Sequence, residues 1–408
     1  MTEREFATDV VRRLRASGHT ALWAGGCVRD MLLGREPDDF DVATDATPEQ
    51  VQKLFKRTVA VGASFGVVQV LGPKPLAVEV ATFRSDVSYS DGRHPDAVVF
   101  SSPEEDARRR DFTINGMFFD PLEDKYIDYV GGQEDLRAGI LRAIGDPAQR
   151  FAEDKLRQLR AVRFATRFQL KLDPATAHAI RAMAGEITVV SAERIAEELR
   201  KLLTDSRRAD GVRLLADAGL FAVLLPEVPD VLKAVRVLEL LPAGASFPLA
   251  LATILQDLDS KEAGRICLRL KLSNAERERI EWLVWHHNFL CGSFSLRGSQ
   301  LKPVLAHEGI AELLAIHRTN AVASGESLEH VEFCEQKLRE WPPEVLNPPP
   351  LIGGADLLAL GVKQGPIFKR LLDTARIVQL DERISTKEEA IELVRQLTDP
   401  SRHRRSGW

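Results

Sequence analysis

Near Asp146 the periodicity of the chain changes, and one kind of fold layer cannot accommodate both sides of the change. Before it, short apolar runs alternate with amphipathic stretches. "ALWAGG" and "DFDVAT" predict strands around a helix, "VRDMLLG", closed by Gly34. "TPEQVQKLF" opens with Thr47 as cap, Pro48 at the first helical position and Gln50 three residues after the cap, the pattern of a helix start. "TVAVGASFGVVQVL" and "PLAVEVATFR" are β-branched and alternating, which predicts a hairpin or adjacent strands. After Asp146 the spacing becomes helical. "RFAEDKLRQLRAVRFATRF", "DPATAHAIRAMAGE" and "SAERIAEELRKLLTD" follow start signals at Asp146-Pro147, Asp173-Pro174 and Ser191. The helical pattern continues through "ERIEWLVWHHNFL" and "GIAELLAIHRTNAVAS". The proline cluster "WPPEVLNPPPLIGG" at 341–354 reads as the clearest linker, followed by a helical tail.

At 408 residues the chain predicts several compact units, given roughly 150 residues per domain. Its 44% hydrophobic and 28% charged content is that of a globular protein. No segment reaches the ~18 apolar residues of a membrane span, and "FPLALATIL" at 247–255 is a core helix by length. The N-terminal stretch lacks the apolar region of an export signal, so the expected location is cytoplasmic, without a membrane. Cys27, Cys267, Cys291 and Cys334 include no CxxC pair, which argues against a zinc site, a disulfide framework and redox chemistry. A net charge of −5 does not advertise a nucleic-acid binder, but totals hide local clusters of Lys and Arg.

Three stretches carry candidate chemistry. In "GGCVRDMLLGREPDDFDVAT", Gly25-Gly26 lies between a strand and a helix expected to begin near Val28, with Arg29 in its first turn. Exposed helix N–H groups and a fixed positive charge suit an anion, although the glycines alone fit an unliganded tight turn equally well. Strand alternation puts Asp39 and Asp41 on one face with Phe40 behind them. Such a pair is either a solvated acidic turn or a carboxylate site for a divalent cation. In "EEDARRRDFTINGM", Arg108, Arg109 and Arg110 precede Asp111, with Asn115 four residues on. One arginine turned inward beside an acceptor would suit a triphosphate and a ribose hydroxyl. In "EDKLRQLRAVRFATRF", Arg157, Arg160, Arg163 and Arg167 fall within a helical arc of about 120°. Residues 146–171 hold seven Lys/Arg against three Asp/Glu. Read by themselves they make a salt-bridged surface helix with Asp154 and Arg157 as an i,i+3 pair.

In this order and spacing, "GGCVRDMLLG....DDFDVAT", "RRRDFTINGM" and "EDKLRQLRAVRFA" resemble the class II tRNA nucleotidyltransferase and bacterial poly(A) polymerase family. The resemblance implies an α+β chain with a polymerase-β-like α/β head at 1–145, then an all-helical neck at 146–205, body at 206–345 and tail at 346–408. It implies Mg2+ at Asp39 and Asp41, with Glu79 as a third catalytic acid, and Asp38 as a helper or a solvated residue. Nucleotide contacts fall to Gly25, Gly26, Arg29, Arg110, Asp111 and Asn115. Asp154 and Arg157 would read the base, and Arg160 and Arg163 would help bind it, with Arg167 structural.

The implied reaction is in-line attack of a tRNA 3′-hydroxyl on the α-phosphorus of CTP or ATP, adding CCA with pyrophosphate leaving and two Mg2+ ions assisting. A-only addition, poly(A) synthesis and an inactive RNA-binding relative are the alternatives. A carboxylate accepting from an exocyclic amine and a guanidinium donating to the adjacent ring nitrogen would accept cytosine and adenine alike. Uracil and guanine would meet the carboxylate with a carbonyl. The polar segment 84–100 reads as a loop of the kind that in this family favours adding A after CC. "LATILQDLDS" lacks the His-Asp pair of phosphohydrolase relatives, and His286-His287 read as a polar helix end. The basic end "SRHRRSGW" would touch RNA or fray. No obligate protein partner is expected.

Overall fold

The computed structural model describes residues 1–62, 66–86 and 98–399, which divide into two compact units. The first is Met1–Val235 with Leu268–Leu272, and the second is Arg236–Cys267 with Ser273–Trp408. Most of the predicted loop at 84–100 and all of "SRHRRSGW" lie outside the described residues.

The first unit opens with helix α1, Glu3–Ala16, started by a reciprocal Thr2–Glu5 cap. Its apolar face, Phe6, Ala7, Val10, Val11 and Leu14, is buried on a mixed sheet. The chain proceeds through β1 (Ala21–Ala24), α2 (Gly26–Leu32), β2 (Asp41–Thr44), α3 (Pro48–Leu54), β3 (Thr58–Gly62), β4 (Val67–Leu71) and β5 (Ala77–Thr82). A short ribbon follows, of β6 (Arg84–Asp86) with β7 (Val98–Phe100), then α4 (Pro103–Arg108), β8 (Met117–Asp120) and β9 (Lys125–Asp128). Seven of these strands form one sheet in the order β3-β4-β5-β2-β1-β8-β9. Every residue of β1 is buried, as a central strand covered on both faces requires. Thr47 and Gln50 make the predicted capping box of α3.

Two boundaries differ from expectation. Helix α2 starts at Gly26, because Gly25 turns with φ +73° and lets the helix begin at once. Strand β2 starts at Asp41, so Asp39 precedes the sheet. Phe40 is nevertheless buried edge-on to Trp23, with ring centroids 4.7 Å apart, and it separates the two acids as alternation predicted.

After α5 (Gly132–Ala138) the first unit becomes helical with α6 (Pro147–Glu153), α7 (Arg157–Phe168), α8 (Pro174–Met183) and α9 (Ala192–Leu203). The single helix expected over "RFAEDKLRQLRAVRFATRF" is broken between α6 and α7. Asp154 is extended there, with φ −147°, and its Oδ1 accepts the Leu156 N–H at 3.1 Å. A short acidic side chain competing for a backbone donor is a known way to interrupt a helix. Asp146 and Asp173 cap α6 and α8 as predicted.

In the second unit, helix Phe247–Leu255 is capped by Ser246 and buried from Leu249 to Leu255. His286 and His287 end helix Asn274–His286, their Nδ1 atoms each 2.7 Å from a carbonyl of the same segment. The expected linker at 341–354 is instead packed structure. Arg376 donates to Pro348 O and to Asn347 Oδ1, and Gln379 to Pro349 O. Ile352 joins Leu357, Leu371, Ala375, Ala390 and Val394 in a core. Prolines lack the N–H that a neighbouring element would have to satisfy, so a proline run can lie against a helix using its carbonyls alone. Among the described residues no helix is long and apolar enough to cross a membrane.

Gly132 at the start of α5 supports the turn that carries Asn115. A Cβ there would lie 2.2 Å from the Thr113 carbonyl oxygen, which is backbone and cannot swing aside. Gly132→Ala is expected to cost about 1–3 kcal/mol of stability, read as a lower urea midpoint. An unchanged midpoint would show that this approach is not tight.

Candidate active site

Strand register assembles the first wall. Antiparallel pairing sets Ala24 of β1 opposite Asp41 of β2, so the glycine pair that follows β1 emerges beside Asp41. Parallel pairing of Val42 with Val80 sets Glu79 of β5 next to Asp41 from the other side. Burial, then the charges of Asp39 and Glu79, push the Asp41 carboxyl up to about 6, against a weaker opposing pull from Arg110. The charges of two neighbouring carboxylates therefore bear on Asp41. Burial, then the charges of Asp41 and Asp39, push the Cys27 thiol up to about 12, so it is no nucleophile at neutral pH.

The second wall is basic and begins in the arginine triplet. Arg108 faces outward to Glu104, whereas Arg109 and Arg110 both turn to the buried Asp106. Arg110 also donates to the Asn115 carbonyl at 3.3 Å. Asn115 Oδ1 accepts from Arg29 at 2.6 Å, and its amide donates to Asp111 at 3.0 Å. Asp111 accepts two bonds from Arg160, at 2.9 and 2.6 Å. Burial alone would raise the Asp111 carboxyl, but Arg160 and Asn115 hold it below the usual range, so it stays ionised.

Arg29 is 6% exposed and lies 4.2 Å above the Phe168 ring, with Phe164 at 5.5 Å and Asp30 gripping its Nε and Nη2. Arg163 pairs with the buried Glu198 at 2.6 Å. Arg167 reaches the exposed Asp38 at 3.8 Å and lies 5.6 Å over the Phe168 ring. The i,i+3 pair of Asp154 with Arg157 is not made. Arg157 donates to Glu153 at 2.6 Å, one helical turn back, while both oxygens of Asp154 are held by Arg194 at 3.2 and 2.8 Å. The break between α6 and α7 rotates Asp154 away from the helix surface on which the pair was drawn.

These side chains face a cavity of about 580 Å3, lined by Gly25, Gly26, Arg29, Asp39, Asp41 and Arg110, and across it by Asp154, Arg157, Arg160 and Arg163. Asp111, Asn115, Asp38 and Arg167 also line it, whereas Glu79 reaches it only through Asp41. Sequence reasoning missed Arg194, Asp106 and the Phe164 ring. Phe164 lies one turn beyond Arg160 and could have been noted. Arg194 had no local signal, because its partner Asp154 lies 40 residues away, whereas Asp106 stands three and four residues before Arg109 and Arg110 and only its burial was hidden. A carboxylate group facing an arginine wall can hold an anion together with a cation that bridges the two.

Comparison with known proteins gives the chain a family. Residues 21–142 match the family model for the poly A polymerase head domain, and residues 169–232 match that for the probable RNA and SrmB-binding site of polymerase A. Poly(A) polymerase I of Escherichia coli O157:H7 is 41% identical over 239 residues, covering 55% of this chain and 50% of that protein. The chain thus spans about half the length of the poly(A) polymerases it matches. The CCA-adding enzyme of Geobacillus sp. (strain WCH70) is 32% identical over 376 residues, 90% of each chain. The solved structure of the Bacillus stearothermophilus CCA-adding enzyme in complex with CTP superposes with a TM-score of 0.82 and 28% identity over 100% of both chains. The chain belongs to the family of CCA-adding enzymes and poly(A) polymerases.

At Gly25 the backbone is left-handed, and an added Cβ would lie 2.8 Å from an Arg110 Nη. Gly25→Ala is therefore expected to strain the turn by about 1–2 kcal/mol and to push Arg110 off Asn115. Calorimetry should show a tenfold or larger rise in the Kd for a nucleoside triphosphate. An unchanged Kd would remove the turn and Arg110 from ligand binding.

Proposed function

We propose that this protein adds CCA to the 3′ end of tRNA from CTP and ATP by metal-assisted nucleotidyl transfer. The observation that carries the reading is the single cavity in which Asp39 and Asp41 face the arginines of α7. Family membership, and a CCA-adding relative aligned over 90% of each chain, support the tRNA substrate. The likeness to a CTP-bound enzyme supports the nucleotide. The carboxylates fit Mg2+ on their own chemistry, since the charges of Asp39 and Glu79 work against the ionised form of Asp41 and a hard divalent cation relieves such crowding. When bound there, Mg2+ ions supply Lewis acidity to the attacking hydroxyl and neutralise the triphosphate.

The chain's own residues supply position and charge. Gly25 lets backbone approach the phosphates, while Arg29 and Arg110 meet them with guanidinium groups already fixed by Asp30, Asn115 and Asp106. Asn115 keeps one amide hydrogen to offer a ribose hydroxyl, and Asp111, whose acceptor sites are taken by Arg160, Asn115 and Phe112, holds that amide in position. Asp154, held in orientation by Arg194, accepts from the exocyclic amine of cytosine or adenine. Arg157 uses three of its N–H groups on Glu153, Arg150 O and Arg109 O, which leaves donors for the ring nitrogen. Arg160 and Arg163 act from beneath, through Asp111 and Glu198.

The poly(A) polymerase relatives, with up to 41% identity over 239 residues, favour poly(A) synthesis as a second reading. The deciding experiment gives the protein a tRNA transcript ending before CCA, with CTP and ATP, and sequences the product. Three added residues and then arrest support the proposal. An open-ended A tract supports poly(A) synthesis, A added only to preformed CC supports an A-adding enzyme, and no addition supports an inactive RNA-binding relative. Asp41→Ala is expected to abolish incorporation of both nucleotides with tRNA affinity within a few-fold; measurable turnover would remove the metal assignment. Asp154→Ala is expected to raise UTP misincorporation by at least tenfold while triphosphate affinity changes less. Unchanged base choice would leave Asp154 as a structural partner of Arg194.

A further inference from the structure

The second unit gathers ligating side chains that nucleotide transfer does not use. Cys291 lies in the 3-10 segment Phe289–Ser295, His317 on helix Ile310–Ser324 and His330 on helix Glu329–Glu340. One ligand atom from each residue lies within 4.8 Å of the other two. Cys291 Sγ is 3.8 Å from His317 Nδ1. The missing CxxC pair argued against zinc in the sequence, but these residues are separated by a whole helix and a turn, so only the fold brings them together.

The two histidines are prepared differently. His317 is 2% exposed, and its Nε2 is 3.2 Å from the carbonyl oxygen of His286. A carbonyl can only accept, so Nε2 carries the proton and Nδ1 turns a lone pair toward Cys291. A backbone carbonyl on the far nitrogen is a common means of fixing a metal-binding imidazole. His330 is 9% exposed, and its Nε2 is buried without a hydrogen-bond partner among the described residues. Buried polar atoms left without partners are uncommon and call for an explanation. Cys291 is exposed, so its side of the group is open to solvent.

We infer that Cys291, His317 and His330 bind a zinc-class divalent cation, with water or an external group as fourth ligand. Zinc bonds of about 2.3 Å to sulfur and about 2.0 Å to nitrogen, at tetrahedral angles, put the two atoms roughly 3.5 Å apart. The sulfur and nitrogen, at 3.8 Å, lie a few tenths of an ångström from that spacing, and all three ligand atoms lie within 4.8 Å of one another. One thiolate and two imidazoles select a borderline-soft ion over Mg2+ or Ca2+. On binding, the thiol proton passes to solvent and the sulfur–metal bond forms without change of oxidation state. The ion would join the 3-10 segment and both helices at one point. The inference stands independently of the proposed nucleotidyl transfer.

The test strips the full-length protein with a chelator and titrates it with Co2+. One Co2+ per chain is expected to produce an intense near-ultraviolet thiolate-to-cobalt band, displaced by equimolar Zn2+. Oxygen ligands at Asp39 and Asp41 give no such band, so uptake there is distinguished. Cys291→Ser, an exposed change that leaves the fold intact, should abolish the band, and Cys334→Ala should keep it. His330→Gln should weaken Zn2+ binding at least tenfold, and Zn2+ should raise the Tm of the parent protein but not of Cys291→Ser. Co2+ uptake without the band, or a band that survives Cys291→Ser, would overturn the inference.

Discussion

The largely buried carboxylate of Asp111 is the joint on which the first unit depends. It accepts two bonds from Arg160 of α7, one from the Asn115 amide and one from the backbone N–H of Phe112. Through Asn115 the same group reaches Arg29 on α2. One negative charge thus ties the helical part of the unit to the turn before β8 and to the helix after β1. A buried charge is tolerable only when its partners are complete, so these elements cannot shift singly without exposing an uncompensated ion.

The cavity above this joint has walls of opposite sign, and each wall is costly by itself. Pairing of β2 with β5 sets Asp41 and Glu79 side by side, and Asp39 stands just before β2, where its charge bears on Asp41. The arginines opposite are braced from behind by Asp30, Asp106, Asp111, Glu153 and Glu198. That bracing balances the positive wall without consuming all its donors. Crowded carboxylates ask for a cation and free guanidinium edges for an anion. A metal–triphosphate pair meets both demands, which is why the proposed chemistry follows from the arrangement as well as from family membership.

Much of this was legible in the sequence where a local rule governed. The change from strand to helix spacing near Asp146, the capping box of Thr47 and Gln50, and Phe40 buried between Asp39 and Asp41 all depend on neighbours in the chain. The α+β class follows from them, and the family models and structural likeness bear it out. What failed depended on distant partners. Asp154 was drawn on a continuous helix beside Arg157, but its carboxylate prefers the Leu156 N–H and Arg194 on α9, and the helix breaks. The proline stretch at 341–354 looked like a linker because composition cannot show that Arg376 and Gln379 wait to bind its carbonyls. The grouping of Cys291, His317 and His330 was hidden for the same reason.

Arg29 lies over the Phe168 ring, with Phe164 nearby, and Asp30 grips its end. A free arginine surrenders up to about 2 kcal/mol of side-chain freedom when it is immobilised. Here that loss occurs while the chain folds, so an arriving anion meets a guanidinium already standing still. Recognition at this corner should resemble a key entering a cut lock rather than a hand closing on its object.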